Sequence, residues 1–342
     1  MASTAAEDAT RRHQVWLDQV QEEVVDPGRP IVDPHHHLWR RDDIGDYVLE
    51  DLRADTGSGH RVERTVFVEC GASYLSDGPA HLRPVGETAF VAEQAARSRG
   101  SAGSVIAGIV GHADLRLDHG VLEEVLDAHE QAGEGLFRGI RHAGARAEHP
   151  ETLTIPGRAP VGLYDDPAFR AGLRRLGERG LTYDTWHYHH QNADFAALAG
   201  AVPEMVLVLD HFGTPLGVGP YAGQREAIFE AWKADIAEIA AHDNVVAKLG
   251  GLAMPDNGFG WDGAPKPPTS DEVVAAQQRY YHHAIECFGP QRCMFESNFP
   301  VDKRSLSYRV LYNALKKIAA PFSDAEQHEL FVGTATRTYH LD

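Results

Sequence analysis

Two histidines one residue apart are the first residues in this chain whose type and spacing could do chemistry. His35 and His37 lie in the segment PIVDPHHHLW at residues 30–39, which begins with a short apolar run. Side chains alternate between the two faces of an extended strand, so both imidazoles point to the same side. Two neutral imidazoles aimed together chelate a metal ion. The alternative is a histidine-rich surface patch or tag remnant, and the flanking strand and turn residues count against it.

The elements that must position these histidines are short apolar runs that alternate with longer amphipathic ones. This alternation predicts parallel strands joined by crossover helices, and eight such units predict an α/β fold, a (β/α)8 TIM barrel. An open doubly wound sheet is the alternative, but no predicted strand is followed by a glycine-rich phosphate loop. The eight predicted strands cover residues 30–33, 64–69, 104–110, 135–141, 181–185, 205–209, 244–249 and 292–296.

Helices are predicted between the strands and at both ends of the chain. A helix over residues 11–25 precedes the barrel, and a capping box at Ser323 and Glu326 begins a last helix. We therefore divide the chain into a short N-terminal helical extension, residues 1–29, and a metal-dependent catalytic barrel, residues 30–342. The Gly- and Pro-rich segment 256–268 is predicted to be a long loop that could cover the site. The predicted crossover helices include residues 85–98, 120–131, 167–179, 224–241 and 270–288.

Composition and charge exclude several classes of partner. The chain has 342 residues, of which 50 are acidic and 32 are Lys or Arg, and its formal net charge is −18. Such a charge repels phosphate backbones and anionic membranes, so neither nucleic acid nor a membrane is expected as a partner. Three cysteines without metal-type spacing, and an N-terminal region without a long apolar stretch, favour a cytoplasmic location.

Polar side chains recur where the predicted strands end. In a parallel barrel these ends meet at one mouth, where the chemistry of the fold collects. Their recurrence there favours one shared site over isolated core or rim residues. The candidates are His35 and His37 after strand one, Glu69 after strand two, Arg141 and His142 after strand four, Trp186, Tyr188 and His189 after strand five, His211 after strand six, and Asn298 and Asp302 after strand eight.

Several of these residues stand in motifs of a known family. The chain resembles the amidohydrolase superfamily and is similar to its amidohydrolase-2 branch, which includes sugar lactonases and pyrone-dicarboxylate lactonase. The resemblance covers residues 31–339. It implies a barrel with a metal held by His35 and His37, and with His189 and His211 available for the metal or for substrate. The motifs are the HxH of strand one, RGIRH at residues 138–142, a YHxQ-like segment after strand five, LDHFGTP at 209–215 and SNFP at 297–300.

Two residues depart from the hydrolytic members of this family. Asn298 stands where those enzymes carry an aspartate, and an amide cannot act as a general base. Asp302 could substitute only if its loop folds back. Glu69 stands where the lactonases carry no acid, and a carboxylate among imidazoles is costly to bury unless it binds a cation. A salt bridge from Glu69 to Arg138 or Arg141 is the alternative.

In both departures the chain resembles a small branch of the superfamily, the dinuclear non-haem iron monooxygenases. This branch is typified by the α-aminoisobutyrate hydroxylase and the diterpenoid hydroxylase of platensimycin biosynthesis. This resemblance implies two divalent metal ions, with iron favoured over zinc or manganese. It also implies hydroxylation of an unactivated carbon of a small or terpenoid carboxylic acid, with dioxygen and an electron donor as partners. A homo-oligomer is expected.

Each candidate residue has a role in this hypothesis. His35 and His37 hold the first ion, Glu69 bridges, and His189 and His211 hold the second. Asn298 or Asp302 completes the shell or orients a water. Arg141 receives the substrate carboxylate, because a guanidinium forks onto a carboxylate with two hydrogen bonds. His142 is either a neighbour of the site or a further ligand. The apolar walls are assigned to Trp39, Trp186, Tyr188 and the loop around Trp261.

Two other functions remain open at this point. A zinc- or manganese-dependent hydrolase of a lactone or related cyclic ester needs the same histidines, and Asp302, His142 or a metal-activated water would have to manage the proton. An inactive barrel subunit of a hetero-oligomer would explain the loss of the strand-eight aspartate. The retention of His35, His37, Glu69 and His211 together counts against it.

Overall fold

An eight-stranded parallel sheet forms the centre of the computed structural model, which describes residues 4–100 and 102–341. The strands pair in chain order, each with the next. After the last strand, the Asn298 amide donates to the His35 carbonyl at 3.0 Å and the His37 amide donates to the Phe299 carbonyl at 2.8 Å, which joins the last strand to the first. The predicted TIM barrel is therefore confirmed. The strands are β1 Pro30–His36, β2 Arg61–Val68, β3 Val105–Gly111, β4 Phe137–Arg141, β5 Thr182–Thr185, β6 Leu207–Leu209, β7 Val245–Leu249 and β8 Cys293–Phe295.

Helices surround the sheet, and the five predicted crossover helices are confirmed to within one residue at each end. Among the described residues, α2, α6 and α9 are helices that we did not predict. A π-helical turn, Glu329–Gly333, separates the last two helices. The helices are α1 Thr4–Leu17, α2 Leu49–Thr56, α3 Val85–Arg99, α4 His119–Ala132, α5 Pro167–Glu178, α6 Asn192–Ala201, α7 Arg225–Ala240, α8 Ser270–Phe288, α9 Tyr308–Ala319, α10 Asp324–His328 and α11 Thr334–Thr338.

The helix predicted over residues 11–25 has other bounds, because α1 begins at Thr4 and ends at Leu17. The residues that follow bind other elements instead of continuing the helix. The Glu22 carboxylate accepts from the Ser270 amide at 2.7 Å, and the Val25 amide donates to Asn313 at 2.8 Å. These long-range bonds satisfy the segment in a non-helical conformation, which local periodicity does not reveal.

The C-terminal segment fills the inside of the barrel. Tyr339 and Leu341 are buried among inward-facing strand residues that include Val66, Val208 and Met294. The Arg64 guanidinium, near the start of β2, donates to the Leu341 carbonyl, so this segment enters from the N-terminal ends of the strands. The opposite end, where the sequence places its candidate residues, is left to side chains of the strand ends and loops.

Two loops meet over that opposite end. The Asp256 carboxylate, in the loop after β7, accepts from the backbone amides of Thr154 and Ile155 at 2.7 and 3.1 Å, in the loop after β4. Helix α1 contacts the loop after β7 as well, since the Trp16 indole donates to the Ala264 carbonyl at 2.9 Å. Among the described helices, none has the length and apolar character needed to cross a membrane.

Candidate metal centre

The strand-one histidines are buried at the carboxyl end of β1. His35 and His37 are 0% and 4% exposed, and their ring centroids lie 5.0 Å apart. The Asp33 carboxylate connects β1 to β8 and α9, because it accepts from the Ser297 amide at 2.9 Å and from the Tyr308 hydroxyl at 3.0 Å. These bonds hold the carboxyl end of β1, which carries both imidazoles, against two neighbouring elements.

A glutamate lies between His35 and His211. One oxygen of Glu296, Oε2, is 2.8 Å from Nδ1 of His35, and the other, Oε1, is 2.7 Å from Nδ1 of His211. One ligand atom from each of the three residues lies within 4.8 Å of the other two, and all three residues are buried. Gly251 permits this packing, because a Cβ there would lie 2.3 Å from His211 Nδ1.

The ionisation of these groups suits a cation. Burial lowers the pKa of His211 to about 3 and holds the pKa of His35 well below its usual value, so both imidazoles keep the lone pairs that metal binding requires. Burial also raises the pKa of Glu296 to about 8. A divalent ion between these groups would compensate the buried carboxylate.

His37 and Asn298 form a second arrangement that a cation would satisfy. Nδ1 of His37 lies 2.8 Å from the Val68 carbonyl, which can only accept, so Nδ1 carries the proton and Nε2 the lone pair. The Asn298 amide nitrogen donates to Asp302 at 2.9 Å. Its oxygen therefore faces Nε2 of His37 at 3.3 Å, and two acceptors meet. A metal ion fits residues of this type in this arrangement.

Two buried cationic side chains adjoin the cluster. The Lys248 ammonium, which is fully buried, lies 2.7 Å from Asp184, 3.3 Å from Asp210 and 3.4 Å from Nδ1 of His35. Nη1 of Arg141 lies 3.4 Å from Nε2 of His35 and 3.5 Å from Asp210. Burial acts to lower the pKa of Lys248, but the neighbouring carboxylates outweigh it and raise that pKa, so the side chain is an ammonium ion.

The structure therefore brings together five of the sequence-predicted residues: His35, His37, Arg141, His211 and Asn298. The loop that carries Asp302 does fold back, as the prediction required. Asp302 is fully buried, and its carboxylate accepts from the Asn298 side chain and from the Ala253 amide at 3.1 Å.

Glu69 pairs with Arg141, which is the salt-bridge alternative. The Arg141 Nε donates to the Glu69 carboxylate at 2.8 Å, and a second guanidinium nitrogen donates to the Glu69 carbonyl. Arg141 would have to release these bonds before it could bind a substrate carboxylate with its fork. The bridging role of Glu69 stays a prediction.

His189 and His142 lie in other surroundings. His189 Nδ1 accepts from the Leu216 amide at 3.2 Å, and its ring meets Tyr221 edge to face. His142 Nδ1 accepts from the Leu115 amide at 3.2 Å. Among the described residues, neither histidine belongs to the three-residue cluster, so a ligand role for His189 stays a prediction.

The residues that the sequence assigns to apolar walls contact loop residues, and their role as walls of the site stays a prediction. The Trp39 indole donates to the Gly45 carbonyl at 3.0 Å, and the ring centroids of Trp186 and Tyr188 lie 5.5 Å apart. The Tyr188 hydroxyl donates to the Ile155 carbonyl at 3.0 Å, which fixes the loop after β4. Trp261 stacks on Phe259 at 4.9 Å.

Sequence reasoning missed Glu296, Lys248 and Asp184 as site residues. A signal was present, because each is a charged residue inside or beside an otherwise apolar strand, and such charges are buried only with a partner. Glu296 also precedes Asn298 by two positions, the spacing that places two strand side chains on one face.

Comparison with known proteins agrees with this fold. The amidohydrolase family model Amidohydro_2 matches residues 32–341. The uncharacterized protein y4mH of Sinorhizobium fredii is 31% identical over 332 residues, which is 91% of this chain and 98% of that protein. An L-fucono-1,5-lactonase of Burkholderia multivorans is 30% identical over 256 residues, 75% of this chain and 77% of the lactonase.

A solved structure adds a metal to this comparison. The crystal structure of an amidohydrolase from Burkholderia multivorans with bound zinc is similar with a TM-score of 0.69 and 25% identity, over 92% of this chain and 100% of that chain. The family model and the y4mH match each span almost the whole chain. This chain therefore belongs to the amidohydrolase family.

Proposed function

We propose that this protein is a metal-dependent hydrolase that opens a lactone or a related cyclic ester. The observation that carries the proposal is the buried cluster of His35, His211 and Glu296, whose ligand atoms lie within 4.8 Å of one another. The two-histidine, one-glutamate composition is used by hydrolytic zinc sites. The relatives described as L-fucono-1,5-lactonases support a sugar lactone as the substrate class.

His35, His211 and Glu296 would hold the ion, and His37 and Asn298 face the same space. A bound divalent ion supplies Lewis-acid chemistry, which polarises an ester carbonyl and lowers the pKa of a water. Exclusion of bulk water and transfer of the proton are assigned to residues of this protein. The loops after β4 and β7 follow the strand ends that carry the site and are joined through Asp256, so we expect them to limit the access of bulk water.

We assign the proton transfer to Glu69. Hydrolysis of a cyclic ester moves a proton from the attacking water to the oxygen that leaves the carbonyl carbon. Asp210 and Asp302 are fully buried, whereas the Glu69 side chain is 12% exposed. Arg141 connects Glu69 to His35, since its guanidinium contacts both. A carboxylate in this position can accept the proton and return it.

The test combines metal content with turnover. Metal-free protein reloaded with Zn²⁺ or Mn²⁺ is assayed for ring opening of L-fucono-1,5-lactone and other sugar lactones. We expect turnover only in the loaded protein. Loss of a hydrogen-bond partner of a metal ligand typically lowers metal affinity by about 10- to 100-fold. Because Glu296 is proposed to bind the ion directly, Glu296→Gln should lower metal affinity by more than that. Metal-loaded protein that opens no lactone in the panel would refute the proposal.

His189→Asn is the matched control, because it removes an imidazole near the barrel mouth and outside the cluster. We expect it to retain metal and turnover. If it instead loses metal as His35→Asn does, His189 is a ligand, as the sequence predicts. Glu69→Gln should keep the metal and lose turnover, which separates the proton-transfer role from metal binding.

A non-haem iron monooxygenase is the second candidate, and one observation favours it. Two histidines and one carboxylate are also the ligand set of many iron oxygenases, and Asn298 replaces the acid of the hydrolytic members. In this case iron would be the metal, with a small or terpenoid carboxylic acid, dioxygen and an electron donor as partners. The donor supplies the two electrons that reduce the second oxygen atom to water.

Dioxygen dependence separates the two candidates. Iron-loaded, reduced protein that consumes oxygen in proportion to substrate hydroxylation would establish the oxygenase. Equal turnover with zinc under strict anaerobiosis would exclude it. We also keep a homo-oligomer and a cytoplasmic location as proposals, the second because Cys70, Cys287 and Cys293 are all free.

A further inference from the structure

Lys248 is a buried cation at the edge of the metal cluster. Its side chain is 0% exposed, and its ammonium lies 3.4 Å from Nδ1 of His35, the same nitrogen that lies 2.8 Å from Glu296. The ammonium therefore contacts the cluster at the nitrogen of His35 that faces Glu296.

The ammonium also forms ion pairs with the two carboxylates that a second metal ion would need as ligands. Asp184 lies 2.7 Å and Asp210 3.3 Å from the Lys248 nitrogen, and both are fully buried. Asp210 contacts Arg141 as well, at 3.5 Å. These two carboxylates have cationic partners, and Glu296 is left with the two imidazoles as the donor set for a divalent ion.

The surroundings hold Lys248 in this place. The Tyr339 hydroxyl donates to Asp184 at 2.5 Å, and the Lys248 ammonium lies 5.2 Å from the centre of the Tyr339 ring. Val208, Met294 and Leu341 fill the barrel interior beside Tyr339. With the interior closed by the C-terminal segment, the side chain has no open route away from the cluster.

We infer that the Lys248 ammonium occupies the place of a second metal ion, so that the centre takes one divalent ion and a resident lysine cation. This inference rests on the metal site of the proposed function. Lys248 is then a positioning residue that orients Asp184, Asp210 and His35. Its removal should open a second metal position between Asp184 and Asp210, because Asp184 would lose its cationic partner and Asp210 would keep only the 3.5 Å contact with Arg141.

Metal stoichiometry tests the inference without an activity assay. The wild-type protein, equilibrated with Mn²⁺ and separated from free ions, should contain one ion per chain and show the electron paramagnetic resonance spectrum of an isolated ion. Lys248→Gln should contain two ions with a spin-coupled spectrum. Lys248→Arg keeps the charge and should contain one. Lys303→Gln is the control, since Lys303 pairs with Asp55 outside the cluster at 2.8 Å, and it should also contain one.

Two results would overturn the inference: two coupled ions in the wild-type protein, or a folded Lys248→Gln variant that still binds a single ion. The wild-type spectrum decides the matter even if Lys248→Gln does not fold. Failure of the proposed function gives a different pattern, because one ion per chain with no lactone turnover leaves the role of Lys248 intact. Two ions with full lactone turnover would refute the role of Lys248 alone.

Discussion

Exchanging the side chains of Asn298 and Asp302 tests which position must carry the acid. In the structure the amide at 298 donates to the carboxylate at 302, and the other oxygen of that carboxylate accepts from the Ala253 amide. The double variant Asn298→Asp/Asp302→Asn reverses the first bond and retains the second, because the new amide can donate to position 298 and accept from Ala253. It places a carboxylate beside His37 with no change in net charge.

The single variant Asn298→Asp lacks this compensation. It would bring two carboxylates to the 2.9 Å that now separates the amide nitrogen from the Asp302 oxygen. At an effective dielectric constant of 20, two unit charges at this distance repel by about 6 kcal/mol. Burial already raises the pKa of Asp302 well above its usual value, so this pair should share a proton at neutral pH. A shared proton weakens the new group both as a base and as a ligand.

The assay is a pH–rate profile for hydrolysis of L-fucono-1,5-lactone by the zinc-loaded proteins. We expect the double variant to exceed the wild-type rate by up to about 100-fold at neutral pH, the contribution of a positioned general base that acts in addition to Glu69. The single variant should approach that rate only at higher pH. Identical profiles for the two variants would refute the shared-proton reasoning, and no gain in either would show that the acid at 298 does not limit hydrolysis.

Two further predictions concern stability. Burial lowers the pKa of His129 to about 4. Between that pH and about 6.5, the folded state therefore binds fewer protons than the unfolded state. The stability that the neutral ring provides is present above about pH 6.5 and is lost as the pH falls towards 4. In His129→Gln, the new side chain can keep the bonds to Thr88 and His112. The free energy of unfolding, measured in urea, should then fall less steeply with decreasing pH, by about 1.4 kcal/mol per pH unit. Parallel plots of unfolding free energy against pH for the two proteins would contradict this. Tyr339→Phe removes one donor to buried Asp184 and should lower the free energy of unfolding by about 1–3 kcal/mol; an unchanged value would mean that Lys248 and Thr182, which also donate to Asp184, satisfy that carboxylate.

Much of the barrel could be predicted from local sequence. Helix α8 has an amphipathic pattern and a capping box at Thr269, and its predicted bounds match the structure. Helix α6 consists largely of Ala, Leu and Phe without a polar stripe, so periodicity does not mark it. Helix α9, by contrast, has both an amphipathic pattern and Ser307 as its cap, and could have been predicted. Tertiary bonds of Glu22 and Val25 decided where the N-terminal helix ends.

The candidate site divides in the same way. The sequence alone determined that His35, His37 and His211 share one mouth, because parallel strands of a barrel carry their carboxyl ends to the same side. Only the tertiary structure decided that Glu69 pairs with Arg141 and that Glu296 lies between two imidazoles. Both contacts cross the barrel between residues 72 or more positions apart, and they depend on strand register and side-chain packing that no local pattern encodes.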